Sequence, residues 1–412
     1  RCRRGTTAGG SGGQRRSSVR AGLVAALRVA RLCCHPAAWR RLERADLAVV
    51  FPIGTDVLRD AHPEVRFVVI DPRETAIHAP TALRCILSGR PSVVDYLDAV
   101  ISRIAPRIVM TFVDNFEPFM WLKDRHPATT FVTVQNGVRG LSGDLLGSLA
   151  RDGDAGRRPR RVDHAFVFGP AIAERLGQRI EAQFHPVGSF RSNAVPVRPS
   201  GEDLIGYIST RRTAVDPMQH VAIHDHGRMV RQREVYAAYD RVAIWLHGYA
   251  SRHGLRLLVI GKDEDADADR RHYETLLGSD DFEYSARARW GDSYRALDRC
   301  RVATFTSSSL GYEAMGRGIR VAALLTWTEV TGSASDRFGW PLDLPADGPF
   351  WTHRHDEVRF SEILDWLRTS PDSEWTAASR PIVEQIVVRD SMNSSMMRVI
   401  DDASAAPSPR LP

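Results

Sequence analysis

The sequence predicts an α/β protein made of two doubly wound domains, and three observations support this. Short apolar runs alternate with helix-compatible stretches, the alternation stops at a polar segment with two prolines (residues 193–203), and it then begins again. Continuously apolar runs are typical of parallel strands covered on both faces, and their alternation with helices predicts βαβ units. A chain of 412 residues is long enough for two buried cores.

The first predicted domain covers residues 46–198. Its predicted strands are the apolar runs at residues 47–51, 66–70, 107–113, 130–134 and 164–168. Residues 92–105 carry apolar side chains at positions 93, 94, 97, 100, 101 and 104. This spacing gives one apolar face and predicts a helix between two of the strands.

The second predicted domain covers residues 199–400. Its predicted strands are residues 204–209, 255–261, 301–307 and 320–325, with a long helix around residues 235–254. A last helical stretch, residues 375–392, is expected to pack back across the first domain, and residues 401–412 are expected to be a disordered tail. Ligands of such sheets bind at the carboxyl ends of the strands, so the residues after each strand are the candidate site residues.

The charge of the chain is concentrated at its amino end. Residues 1–45 hold eleven arginines and one acid, Glu43, so they carry a net charge of +10. The whole chain carries +6, so the remaining residues carry −4. The bulk charge therefore gives no support to a nucleic-acid partner. We expect residues 1–45 to be disordered or to be translated upstream sequence.

Cysteine usage favours a reducing compartment. The five cysteines are odd in number and include no CxxC pair, a pattern that fits a cytoplasmic protein better than a secreted one. No run approaches the roughly 18–20 apolar residues of a membrane-spanning helix.

The segment at residues 301–324 is the most informative part of the sequence. A predicted strand is followed by Ser307, Ser308 and Ser309 at the start of a helix that contains Gly311 and Glu313. Free N–H groups at a helix start favour a phosphate, the glycine allows close approach of a ligand, and the glutamate suits the hydroxyls of a ribose. The alternative is that the serines only cap the helix.

Two cations follow other strands of the second half. Arg212 comes after the run at 204–209, and Lys262 comes after the run at 255–261. Both are expected to bind a diphosphate, since arginine pairs with phosphate through two parallel hydrogen bonds. The alternative is that they are ordinary exposed cations of an arginine-rich chain.

The first half offers candidates for a general base. Asp114 follows the run at 107–113, and Glu74 follows the run at 66–70. Either carboxylate could deprotonate an acceptor hydroxyl, although Asp114 could equally start a helix. Asn136 and Arg139 follow the run at 130–134 and are expected to line the cleft, or to form only a turn.

No metal site is expected. The acidic run at residues 263–269 is interpreted as a solvated loop. The histidine pairs at 224–227 and 353–355 lack further ligands at zinc-like spacing. Motifs for a P-loop or a dinucleotide are absent from the sequence, and its one match to a nucleophile elbow, residues 9–13, lies in the Gly/Ser/Arg-rich amino-terminal stretch and does not follow a predicted strand.

Several segments together resemble a known family. A strand, a serine cluster, a glycine and a glutamate-containing helix resemble the donor-nucleotide motif of GT-B glycosyltransferases. FVTVQNGVRG (131–140), VDHAFVFG (162–169) and FHPVGSFRSN (184–193), with DPRET (71–75), 94–115 and 338–357, resemble surface-carbohydrate, or O-antigen, biosynthesis proteins. The resemblance implies two Rossmann-like domains facing a cleft and a cytoplasmic, metal-independent sugar transferase.

The sequence therefore predicts transfer of a sugar from a nucleotide-sugar donor to a hydroxyl of a glycan or lipid-linked acceptor. The nucleotide sugar is a substrate, and no cofactor is expected. Peripheral association with the inner face of a membrane is a further expectation. Two alternatives stay open: a nucleotide-sugar 2-epimerase with the same architecture, and a non-catalytic component of polysaccharide assembly.

Overall fold

The computed structural model describes residues 36–39, 41–73, 77–138, 160–223 and 228–405. Within these residues the chain forms two parallel sheets with helices on their faces, followed by helices at the carboxyl end. The predicted fold class, two Rossmann-like α/β domains, is confirmed by this architecture. No helix of the described residues is long and apolar enough to cross a membrane.

The first sheet contains six parallel strands in the order β2-β1-β3-β4-β5-β6. The strands are β1 (Leu47–Val50), β2 (Val68–Ile70), β3 (Ile108–Thr111), β4 (Thr130–Val134), β5 (Arg161–Val167) and β6 (Glu181–Pro186). The accompanying helices are α1 (Thr55–Ala61), α2 (Ala79–Leu87), α3 (Val93–Ile104), α4 (Glu117–Met120), α5 (Pro170–Gly177) and α6 (Phe190–Asn193).

The second sheet contains seven strands in the order β11-β10-β7-β12-β13-β15-β14, and only β14 is antiparallel to its neighbour. The strands are β7 (Glu202–Ile208), β10 (Arg256–Ile260), β11 (Glu283–Ser285), β12 (Cys300–Phe305), β13 (Val321–Leu324), β14 (Asp347–Gly348) and β15 (Trp351–Thr352). A separate hairpin joins β8 (His220–Ile223) to β9 (Arg228–Arg231).

The helices of the second half cover its sheet and extend beyond it. They are α7 (Gln232–Arg252), α8 (Ala266–Leu277), α9 (Asp292–Arg299), α10 (Ser309–Gly316), α11 (Trp327–Thr331), α12 (Glu357–Thr369), α13 (Asp372–Ile386) and α14 (Ser394–Ala405). The helix predicted over residues 92–105 is α3, which starts after Ser92, whose side chain accepts a hydrogen bond from the N–H of Asp95.

The carboxyl-terminal segment returns to the first sheet in two helices. The stretch expected at residues 375–392 is interrupted, because α13 ends at Ile386 and α14 begins at Ser394. The N–H of Val388 donates to the carbonyl of Phe168 at 3.0 Å. Met396 and Ile400 of α14 are buried in the same cluster as Leu47 and Met110, so this last helix covers one face of the first sheet.

A buried ion pair links the halves near their junction. The guanidinium of Arg317 donates to Asp298 at 2.7 Å, and neither side chain is more than 6% exposed. The same guanidinium donates to the carbonyls of Ser192 and Val195, at 3.2 and 3.0 Å. The start of the second half is therefore fixed to the end of the first by a charged group that water does not reach.

Candidate active site between the two sheets

The carboxyl ends of the two sheets face each other. Val138, after β4, donates its N–H to the Oγ of Ser309 at 2.8 Å. Trp290, after β11, donates its indole N–H to Asp60 of α1 at 2.8 Å. Because residues that follow strands of one sheet contact residues that follow strands of the other, the strand ends of both sheets border one cleft.

Each sheet has a point where the strand order reverses. In the first sheet, β1 lies between β2 and β3, and in the second sheet β7 lies between β10 and β12. Chain segments leave such neighbouring strands in opposite directions, and the resulting crevice is where open α/β sheets bind ligands. Asp114 follows β3, whereas Arg212 follows β7 and the serine cluster follows β12. These predicted residues therefore lie at the two reversal points.

All three serine hydroxyls of the cluster have partners within the protein. Ser307 shares a hydrogen bond of 2.8 Å with the hydroxyl of Tyr239. Ser308 caps α10, accepting from the N–H of Leu310 at 3.2 Å. Ser309 accepts from Val138 across the cleft. Capping therefore accounts for one serine, as expected, and each of the other two fixes a different neighbour; all three remain half-buried.

Gly311 has a packing reason to be glycine. A Cβ at this position would lie 2.2 Å from the Cγ of Phe305, far inside van der Waals contact. The residue is buried against this ring. The backbone of Gly311 therefore approaches the aromatic side chain of β12, and its predicted approach to a ligand stays a prediction.

Glu313 is buried where the two halves meet. Its carboxylate accepts from the hydroxyl of Tyr294 at 2.5 Å and is also hydrogen-bonded to Ser189, which follows β6 of the first sheet. Burial raises the pKa of Glu313 to about 6, although Tyr294, Ser189 and two nearby arginines oppose that shift. The contact with a ribose stays a prediction, and the position gives Glu313 a contact in each half.

Three cations follow three neighbouring strands of the second sheet, and the first of these strands, β7, borders the reversal point. Lys262 is largely buried after β10, and burial lowers the pKa of its amine. The positive charges of Arg212 and Arg287 lower that pKa further, and these residues follow β7 and β11, the two strands on either side of β10. We call Arg212, Lys262 and Arg287 the cation cluster. Among the described residues, none of the three has a carboxylate within ion-pair distance.

Arg287 is a candidate site residue that the sequence analysis missed. It follows β11, a strand of three half-exposed residues with the sequence Glu-Tyr-Ser. Such a strand has no apolar run, so nothing marked the residues after it as a strand exit. The neighbouring Arg211 differs from the cluster, because it pairs with Asp240 at 3.3 Å and its guanidinium lies 4.8 Å from the ring centre of Tyr236.

Asp114 positions the loop after β4. Its side chain is 5% exposed, and its Oδ1 accepts from the N–H of Asn136 at 3.2 Å. Gln135, a second residue that the sequence analysis missed, donates to the carbonyl of Gly137 at 2.8 Å and accepts from the N–H of Phe168 at 2.7 Å. Asn136 itself is exposed. Glu74 and Arg139 lie outside the described residues.

The interpretation of residues 263–269 as a solvated loop is wrong for two of the acids. Asp263 is 8% exposed and accepts from the N–H groups of Thr213 and Asp265. Asp269 is fully buried and accepts from the hydroxyl of Tyr284 at 2.8 Å. Asp263 therefore connects the segments that follow β7 and β10, and Asp269 connects α8 to β11. Among the described residues, no group of three or more His, Cys, Asp or Glu side chains is arranged to hold a metal ion.

A separate cavity of about 480 Å³ lies at the opposite, amino end of the second sheet. Arginines line it, but each has a protein partner: Arg301 pairs with Asp203 at 3.2 Å, and Arg320 pairs with Asp372 at 2.6 Å. The carbonyl groups at the end of α12 accept from the same side chains. This cavity is therefore lined by arginines that already have protein partners, and it lies at the end of the sheet away from the cleft.

The structure is that of a protein with two Rossmann-like domains that face each other across a cleft. Cations lie beside the reversal point of one sheet, and a carboxylate lies at that of the other. Over residues 132–404 the sequence matches a protein family described as "putative O-antigen biosynthesis protein", and the match covers more than half of the chain. The chain belongs to this family. The resemblance noted from the sequence is thereby confirmed. No curated protein sequence matches the chain.

Solved structures with a similar arrangement have very different sequences. A structure of the wall teichoic acid polymerase TagF is 11% identical, with a TM-score of 0.49, and covers 95% of this chain and 97% of its own. Sucrose-phosphate synthase from Thermosynechococcus elongatus is 12% identical, with a TM-score of 0.45, over 88% and 100%. S. aureus MnaA with UDP is 12% identical, with a TM-score of 0.47, over 85% and 94%.

Proposed function

We propose that the chain is a glycosyltransferase of O-antigen biosynthesis, which moves a sugar from a nucleotide-sugar donor to a hydroxyl of a glycan or lipid-linked acceptor. The observation that carries the proposal is the cation cluster. Three positive charges with no carboxylate partner among the described residues follow neighbouring strands of a doubly wound sheet, beside its reversal point. A diphosphate carries the matching charge and suits both lysine and arginine.

The donor diphosphate is placed on the cation cluster beside the start of α10. When the bond from the sugar to the diphosphate breaks, negative charge grows on the leaving oxygen. Lys262, Arg212 and Arg287 stabilise this charge more strongly than the charge of the bound donor, which is how electrostatic groups accelerate a reaction. Binding the diphosphate also raises the lowered pKa of Lys262, because two negative charges then face the amine.

Asp114 is the proposed general base, and Glu74 is the alternative. Asp114 lies across the cleft from the cation cluster, at the reversal point of the first sheet. Its carboxylate takes the proton of the acceptor hydroxyl while that oxygen attacks the sugar. The hydrogen bond from Asn136 holds the carboxylate in place. Asp114→Asn keeps an oxygen for this bond and removes the base, so it separates the catalytic role from the positioning role.

The proposed compartment is the cytoplasm. The two described cysteines, Cys85 and Cys300, are buried free thiols, as expected for a protein of a reducing compartment. Burial raises the pKa of the Cys300 thiol to about 12. A thiol that stays protonated is inert toward disulfide exchange, which supports a structural role for this side chain.

A thermal-shift screen against UDP-, GDP-, CMP- and CDP-linked sugars tests the proposal. One class of donor is expected to raise the melting temperature, since a ligand at 100 times its Kd adds about 2.7 kcal/mol to the free energy of unfolding. The shift is expected to persist in EDTA. Asp114→Asn is expected to keep the shift and lose transfer to an acceptor.

The same screen separates the alternatives. Isomerisation of the donor sugar without any acceptor would assign the chain to the epimerase class. A chain that binds none of the four donor classes would be a non-catalytic component of polysaccharide assembly. Full transfer activity in Asp114→Asn would leave Asp114 as a loop-positioning residue and pass the role of base to Glu74.

A further inference from the structure

Exposed apolar side chains gather at one corner of the first domain, where α2 ends and α3 begins. Leu87 is 87% exposed, Val93 is 47% exposed and Ile86 is 44% exposed. Trp39 is 53% exposed and belongs to a short helical turn, Pro36–Trp39, that packs against α2. We call Trp39, Ile86, Leu87 and Val93 the apolar corner.

The local fold holds these side chains outward. The N–H of Ser88 donates to the carbonyl of Arg84 at 2.9 Å, and the N–H of Arg90 donates to that of Cys85 at 2.8 Å. Ser92 then caps α3. The opposite faces of both helices supply the buried residues, among them Cys85 and Leu97. The apolar corner is therefore a fixed projection that the core does not use.

The surroundings of the apolar corner are cationic. Residues 77–94 contain two arginines, Arg84 and Arg90, and no acid. Both arginines are exposed. The next acids, Asp95 and Asp98, share one partner, Arg125, at 2.9 Å, so these three side chains carry one net negative charge and Arg84 and Arg90 keep the corner positive. In the sequence, residues 1–45 contain a further eleven arginines and one acid.

The apolar corner lies on the cleft side of the first domain. Helix α3 ends at Ile104, just before β3 begins at Ile108, so the end of α3 is at the amino end of the sheet. Its twelve residues span about 18 Å at 1.5 Å per residue. The start of the helix is therefore near the carboxyl end of the strands, the same side as Asp114.

We propose that the apolar corner docks on the surface of a membrane that contains anionic phospholipid. Exposed aliphatic and tryptophan side chains beside the exposed Arg84 and Arg90 match the apolar boundary and negative surface of such a bilayer. Docking here would place the cleft of the first domain next to the membrane, where a lipid-linked acceptor would be. The docking does not require the proposed transferase activity, so the two proposals fail separately.

Sedimentation of the full chain with lipid vesicles tests the docking. The chain is expected to sediment with vesicles of phosphatidylcholine and phosphatidylglycerol and to bind much less to phosphatidylcholine alone. Leu87→Asp is expected to weaken binding at least about tenfold, because a leucine that enters the bilayer loses its contact with water. Arg90→Gln is expected to weaken it about fivefold.

Val358→Asp is the matched control, since Val358 is 70% exposed on α12 of the other domain. It is expected to bind vesicles as the unchanged chain does. All three side chains are exposed, so melting temperatures should not change. Equal binding by Leu87→Asp and Val358→Asp, or equal binding to both lipid compositions, would overturn the proposal. Concentration-dependent dimerisation that Leu87→Asp abolishes, without vesicle binding, would assign the apolar corner to a second copy of the chain instead.

Discussion

Burial controls the protonation of Glu313. The carboxyl group is 6% exposed, and its pKa of about 6 lies above the ordinary value of 4.5. Between these two values the folded chain holds more protons than the unfolded chain does. The free energy of unfolding therefore falls as the pH rises through this window, by about 2 kcal/mol once both states are ionised.

Glu313→Gln removes this pH dependence, since an amide does not ionise and its oxygen still accepts from Tyr294. Relative to the unchanged chain, the variant is expected to gain about 2 kcal/mol in free energy of unfolding between pH 4.5 and pH 7. Urea denaturation at the two pH values measures the difference. Parallel curves for the two proteins at every pH would show that burial does not raise this pKa.

Burial also makes the ion pair between Asp298 and Arg317 important for stability. Asp298→Asn leaves the Arg317 guanidinium buried without its counter-charge, which costs about 3–5 kcal/mol of stability. Arg270→Gln breaks an exposed pair with Glu274 and is expected to cost less than about 1 kcal/mol. Denaturation of both variants checks the contrast, and an equal small loss in both would contradict it.

At the scale of elements, the start of α10 has a structural role in the fold and a proposed role in binding the donor. Ser308→Ala with Ser309→Ala removes the helix cap and the bond to Val138, and the loss of a cap costs about 1 kcal/mol. If these hydroxyls also bind the donor diphosphate, donor affinity falls at least about tenfold, since a bond to a charged group is worth about 1.5–3 kcal/mol. Calorimetry and thermal melts separate the two effects. Normal donor affinity with early melting would leave the cluster as a structural element only.

The buried strands could be predicted from the sequence because both of their faces are covered. β1, β3 and β4 of the first sheet and β7, β10, β12 and β13 of the second are continuous apolar runs in the predicted places. The edge strand β6 has the sequence Glu-Ala-Gln-Phe-His-Pro and is mostly exposed or half-exposed, so it produces no apolar run. β11, with the sequence Glu-Tyr-Ser, also lacks an apolar run. The sequence therefore did not indicate that Arg287 follows a strand.

Part of the candidate site could be predicted because its residues follow apolar strands. Arg212 and Lys262 follow apolar runs, and the structure brings them together through the order of the strands. Contacts between the halves could not be predicted, since residues such as Ser189 and Glu313 are far apart in the chain and meet only when the two sheets face each other. The partners of the serine hydroxyls depend on the same packing.

At the scale of the whole molecule, the two sheets are joined at several points around the cleft. The buried Arg317 fixes the junction, Val138 and Ser309 meet across the middle, and Trp290 reaches Asp60. The carboxyl-terminal segment, from Val388 to α14, adds a connection back to the first domain. These contacts hold the strand ends that carry the cation cluster and Asp114 on the two sides of one cleft.

Calorimetric titration of nucleotide sugars into Lys262→Met tests the central claim most directly. Methionine keeps much of the volume of the lysine side chain and removes the charge, whereas Arg270→Gln removes an exposed charge from the same domain and serves as the control. We predict that a UDP-, GDP-, CMP- or CDP-linked sugar binds the unchanged chain and Arg270→Gln equally, and binds Lys262→Met at least about tenfold more weakly. Equal affinity of Lys262→Met and the unchanged chain, or no binding of any of these donors, would contradict the assignment of the cation cluster to a donor diphosphate.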